Sequence, residues 1–91
     1  MAAAPTAADD ATIVALRADV ALQIARVVAR AGETQVEAAS RLGIPQPTLS
    51  KIVNGHTSDL SLELLIRIAV RAGLPIVLQT GTDPREAGAY V

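Results

Sequence analysis

Large apolar residues recur along this chain at intervals of three and four, and the intervals break at glycines. Ile13, Leu16, Val20, Ile24 and Val27 draw one stripe, which predicts a helix from Thr12 to Ala31. Arg17, Asp19, Arg26 and Arg30 lie mostly off that stripe, and Gly32 ends the helix. Thr34 followed by Glu37 has the spacing of a capping box and opens a second helix reaching Leu42. Ala38, Ala39 and Leu42 form its inner face, and small alanines let another helix cross closely. Gly43 supplies a tight turn. A third helix is expected from Pro45 to Asn54, with Leu49, Ile52 and Val53 inward. Pro45 and Pro47 fit a first turn, where the N–H groups lack intrahelical partners, although Pro47 disfavours helical geometry at Gln46.

Ser61 caps a fourth expected helix that ends near Ala72. Leu62, Leu64, Leu65, Ile66, Ile68, Ala69 and Val70 wrap nearly all round it, so it needs more than one burial surface. One face can meet its own chain; the other wants a partner. Leu74 to Thr80 reads as a short strand with Pro75 near its start. A lone strand leaves its backbone groups unpaired, and the simplest remedy is pairing with its copy across a two-fold axis through Ile76, Val77 and Leu78. The segment could instead pack on its own domain or pair with a different protein. The expected division is therefore a disordered arm over 1–11, a helical domain over 12–73, a dimerisation strand over 74–80 and a flexible tail over 81–91.

Composition narrows the chemistry. Ninety-one residues make one domain with a modest core. With no Cys there is no disulfide, thiolate nucleophile or cysteine-rich zinc site, and the single His56 has no second ligand near it in sequence. No metal and no cofactor are expected, and scattered carboxylates do not assemble an enzyme site. No apolar run is long enough to span a membrane, and the first residues lack the pattern of a secretion signal. A cytoplasmic, nucleoid-associated location follows as the expectation. Tyr90, the lone aromatic, could anchor a protein partner from the tail.

The polar stripe on the third helix has no purpose inside a core. Gln46, Pro47, Ser50, Lys51 and Asn54 share one outer face. Glutamine can bond the N6 and N7 edge of adenine, and lysine can reach guanine O6 and N7 or a phosphate. Thr48, at the edge of that face, can set its methyl against a thymine methyl. At the start of the second helix, Thr34, Gln35 and the first backbone N–H groups can hold a phosphate. The net charge of −1 opposes broad attraction to nucleic acid, so affinity must come from the placement of a few cations, from helix N-termini and from dimerisation.

The run QVEAASRLGIPQPTLSKIVNG resembles the helix-turn-helix of the Xre/Cro family, the lambdoid phage repressors and their bacterial relatives. The resemblance rests on Gln35 at the opening, Ala39 and Gly43 at the crossing and turn, Leu49 and Ile52 in the core, and Asn54-Gly55 at the exit. It implies a mostly α fold, a lambda-repressor-like bundle of four to five helices over about residues 12–73. It further implies that Gln35 grips a phosphate, that Gln46, Pro47, Ser50 and Lys51 face bases, and that Asn54 lies near the DNA backbone. At Pro47 relatives often carry a polar base reader, so a methyl contact is the expected use here. SLELLIRIAVRAGLPIVLQT is similar to HipB-like and HigA-like antitoxins, the former pairing a strand between subunits. The resemblance implies a homodimeric repressor of a palindromic operator on double-stranded DNA. It implies the antitoxin role too, with a toxin protein as second partner and control of its own operon. The alternative is a protein-interaction module that neutralises a toxin with little DNA binding.

Overall fold

The computed structural model describes residues 7–77 and 79. It contains four helices: α1 (Ala7–Ala31), α2 (Gln35–Leu42), α3 (Gln46–Val53) and α4 (Leu62–Arg71). Helix α1 packs against α3 and α4, and α2 packs against α3. Ile24 from α1, Leu42 from α2, Leu49 and Ile52 from α3, and Leu65 and Ile68 from α4 are the largest fully buried side chains. Each such burial is worth roughly 1.5–3 kcal/mol, which is most of what holds so small a domain together. Ala38, Ala39 and Ala69 are buried between them, where larger side chains would force the helices apart.

The short helices start where their capping residues dictate. Thr34 accepts from the Glu37 N–H at 3.1 Å, and the Glu37 carboxylate accepts from the Thr34 N–H at 3.0 Å, so the expected capping box is complete. Ser61 accepts from the Leu64 N–H at 3.1 Å and opens α4. Pro45, extended with ψ 143°, is the N-cap of α3, and Gln46 is already helical despite the following proline. At the exit of α2, Gly43 takes a left-handed φ of 67°, and the Ile44 N–H reaches back to the Ala39 carbonyl at 3.0 Å. Gly55, with φ 76°, closes α3 in the same way. There the His56 N–H reaches the Lys51 carbonyl at 2.8 Å.

Two expectations need correction. Helix α1 begins at Ala7, so residues 7–11, expected in a disordered arm, are helical; residues 1–6 lie outside the described residues. Alanine carries the highest helix propensity, which favours helix in this alanine-rich stretch. The apolar stripe of α1 is also sealed at only one end. Ile24 is buried and Val20 and Val27 are half-buried, while Ile13 and Leu16 are exposed.

Leu74 to Val77 follow α4 with no helix and no strand pairing among the described residues. Leu74 is half-buried, while Ile76 and Val77 are exposed; Leu78 and residues 80–91, Tyr90 included, lie outside the described residues. A groove of about 360 Å³ runs between this segment and the helices, lined by Leu16, Val20, Leu62, Ile66, Leu74 and Val77 among others. Among the described residues no helix is long and apolar enough to cross a membrane. No group of His, Cys, Asp or Glu among them could hold a metal ion.

Candidate nucleic-acid interface

Helices α2 and α3 are each eight residues long, joined by Gly43, Ile44 and Pro45. Ala38, Ala39 and Leu42 on one side and Leu49 and Ile52 on the other lock them together, so the outward side chains sit on a fixed frame. A second tie comes from outside the pair. The Arg71 guanidinium at the end of α4 donates from Nη1 to the Leu42 carbonyl at 3.2 Å. That carbonyl lies at the end of α2, where intrahelical donors run out. Arg71 thus holds the turn to the bundle.

On the outer surface of α3, Gln46, Pro47, Lys51 and Asn54 are exposed, while Thr48 and Ser50 are half-buried. The fold brings several of these side chains together. Gln46 Nε2 donates to Gln35 Oε1 at 3.4 Å, linking the first residues of α2 and α3. Asn54 Nδ2 donates to the Ser50 carbonyl at 2.9 Å and to Ser50 Oγ at 3.3 Å, which folds this amide back on its own helix. Thr34 commits its hydroxyl to the cap of α2, its oxygen accepting from the Glu37 N–H.

The cation of the group is not solitary. Lys51 Nζ pairs with Asp59 Oδ2 at 2.5 Å, and both side chains are about half exposed, 46% and 59%. The hydrogen bond from Lys51 holds the Asp59 carboxyl below the usual carboxylate range, helped by its own backbone N–H. Asp59 lies in the loop before α4, anchored by buried Leu60, whose N–H bonds the Thr57 carbonyl at 3.1 Å. Two further cations are paired: Arg41 grips Glu33 through Nε and Nη2 (2.7–3.0 Å), and Arg67 meets Glu63 at 2.6 Å. His56 is exposed in the loop after α3, as are Arg26 and Arg30 on α1.

Sequence reasoning named the outward face but missed Asp59, Glu33 and Arg71. Asp59 is eight residues from Lys51 across a helix end and a loop, a spacing no helical rule connects. The cluster of turn residues at 54–59, ending in an acid beside a buried Leu, was the available signal. Arg71 reads in sequence as a cation favouring its own helix C-terminus, yet it serves the end of α2.

Comparison with known proteins agrees with this architecture. Residues 5–80 match the family described as Helix-turn-helix domain. A solved structure provisionally described as an XRE family transcriptional regulator superimposes with a TM-score of 0.75 at 29% identity, over 84% of this chain and 85% of that one. No curated protein sequence matches.

Proposed function

Because this chain belongs to the helix-turn-helix family and is of the Xre type, we propose that it binds double-stranded DNA and regulates transcription as a sequence-specific repressor. The observation that carries this reading is the outer face of α3. Gln46 and Lys51 stand exposed on a helix whose opposite side is locked into the core. The Gln46 amide and the Lys51 ammonium offer the donors that purine edges in the major groove accept. Thr34 and Gln35 at the start of α2 sit beside Gln46, where a phosphate can meet the first N–H groups of that helix. Pro47 and Thr48 supply apolar contact to thymine methyls, and Ser50 and Asn54 complete the edge toward the DNA backbone.

Repression by such a protein works through two copies that read a palindrome, their α3 helices about 34 Å apart. The exposed Ile76 and Val77, continuing into Leu78, support a dimer built on this segment. The similarity of residues 61–80 to HipB-like antitoxins extends the proposal to an antitoxin that represses its own operon and meets a toxin through its remaining apolar surface. The cytoplasm, at the nucleoid, is the corresponding location. A toxin-neutralising module with little DNA binding is the second reading, and the net charge of −1 favours it.

Selection from a duplex library with a randomised centre tests the first reading against the second. Wild-type protein should enrich a two-fold symmetric sequence, with binding that weakens steeply as salt rises. Gln46→Ala should relax preference at one base position per half-site and cost about 1–3 kcal/mol. Failure of the wild type to enrich any sequence would remove the repressor reading.

A further inference from the structure

We infer that Asp59 is a specificity-determining residue, which positions the Lys51 ammonium for a neutral base edge and turns it away from phosphate. The inference rests on the DNA-binding reading above and concerns a residue outside the recognition helix. Lys51 is the only cation on α3, and its ammonium already touches Asp59 Oδ2 at 2.5 Å. An ammonium has three N–H donors, so one bond to Asp59 leaves two. Guanine O6 and N7 are two neutral acceptors side by side, and they can take those donors while the carboxylate stays in place. A phosphate cannot do so without bringing a second negative charge against Asp59. At close range that repulsion is worth a severalfold change in affinity even near water.

The carboxylate is held where this requires. Leu60 next to it is buried, the Leu60 N–H is bonded to Thr57, and Ser61 caps α4 immediately afterwards. Both partners are exposed, and exposed ion pairs contribute little to folding, so stability alone gives no reason for the pair. The charge balance points the same way. A chain of net charge −1 that pairs the cation of its reading helix with an acid forgoes indiscriminate affinity. Base recognition is what remains for that lysine.

The test measures binding of wild type, Asp59→Asn, Asp59→Glu, Lys51→Met and the Asp59→Asn/Lys51→Met double variant by fluorescence anisotropy. Two probes are used across a salt series: the duplex selected by the wild type and a pool of random duplex of equal length. Asp59→Asn should bind random duplex about fivefold more tightly, with a salt slope steeper by about 0.9, the signature of one added phosphate contact. It should also lose preference at the base pair that Lys51→Met leaves unread. Asp59→Glu should keep most of that preference. In the Lys51→Met background, Asp59→Asn should change neither the slope nor the ratio of selected to random affinity. An unchanged ratio and slope in the single Asp59→Asn variant, or an equal gain with and without Lys51, overturns the inference. A wild type that enriches no sequence fails the DNA-binding reading itself, which separates the two outcomes. Circular dichroism of every variant checks that the helices remain.

Discussion

The α2–α3 pair and the face formed by α1, α4 and the following segment answer the same requirement in opposite ways. Helices of eight residues are too short to be stable alone. In α2 and α3 Leu42, Leu49 and Ile52 are buried and Val53 is half-buried, both C-terminal ends fold back on left-handed glycines, and the polar side chains face out. This pair is finished by its own chain and leaves only hydrogen-bonding groups exposed, apart from Val36 and the edge of Pro47. The other face is unfinished. Leu16, Ile76 and Val77 are exposed and line a predominantly apolar groove. A finished polar ridge suits a hydrated, charged partner such as DNA, and an unfinished apolar face suits protein.

Truncation should separate the two regions most sharply. Leu49 is fully buried where α3 meets the bundle. Leu49→Ala should cost about 2–5 kcal/mol, a large share of the stability of a small domain, and should lower the denaturation midpoint in urea accordingly. Val77 is 78% exposed, and Val77→Pro should leave the stability of the monomer within about 0.5 kcal/mol. If the proposed dimer pairs through this segment, the same substitution should shift sedimentation toward monomer, because proline removes a backbone donor from the strand. A full-strength dimer in Val77→Pro would move the subunit contact away from this segment. A Leu49→Ala protein of undiminished stability would mean that the pair is not anchored through α3.

How much of this was legible in the sequence depended on range. The capping box at Thr34 and Glu37, the cap at Ser61 and the turns at Gly43 and Gly55 are each written within a few residues, and the structure forms all of them. The inner faces of α2 and α3 followed from helical periodicity, and Ala38, Ala39, Leu42, Leu49 and Ile52 are buried as that periodicity implies. Periodicity could not say which part of a stripe finds a partner. Ile13 and Ile24 belong to one stripe of α1, yet the first is 42% exposed and the second fully buried, because α3 and α4 cover only the later turns. Contacts between elements were likewise out of reach. The bonds from Lys51 to Asp59, from Gln46 to Gln35 and from Arg71 to Leu42 join residues eight, eleven and twenty-nine positions apart. Two of the three lie on the candidate interface, so how its side chains are held was not legible in the sequence. The start of α1 was misjudged for another reason: a turn rich in alanine needs no burial to be helical.

The smallest expected effect concerns the local device that finishes the α2–α3 pair. Hydrogen bonds from the Thr34 backbone N–H, and then from its side chain, hold the Glu37 carboxyl below the ordinary glutamate range. A carboxyl whose pKa is depressed by folding binds its proton more weakly in the native state than in the unfolded chain. Its contribution to stability is therefore complete above the unfolded value, about pH 4.3, and is lost as pH falls through the lower folded value. Glu37→Gln keeps an acceptor for the Thr34 N–H but cannot titrate. Wild type should thus be the more stable of the two at pH 7, and the gap should close between about pH 5 and pH 3. Urea denaturation at a series of pH values checks this. A gap that stays constant through that window would show that the carboxylate charge adds nothing to the cap. Asp59 is held low in the same direction by Lys51, so the comparison is made in an Asp59→Asn background, which removes that response. If the gap closes there, the short helix that opens the DNA-facing pair draws part of its stability from one local charge.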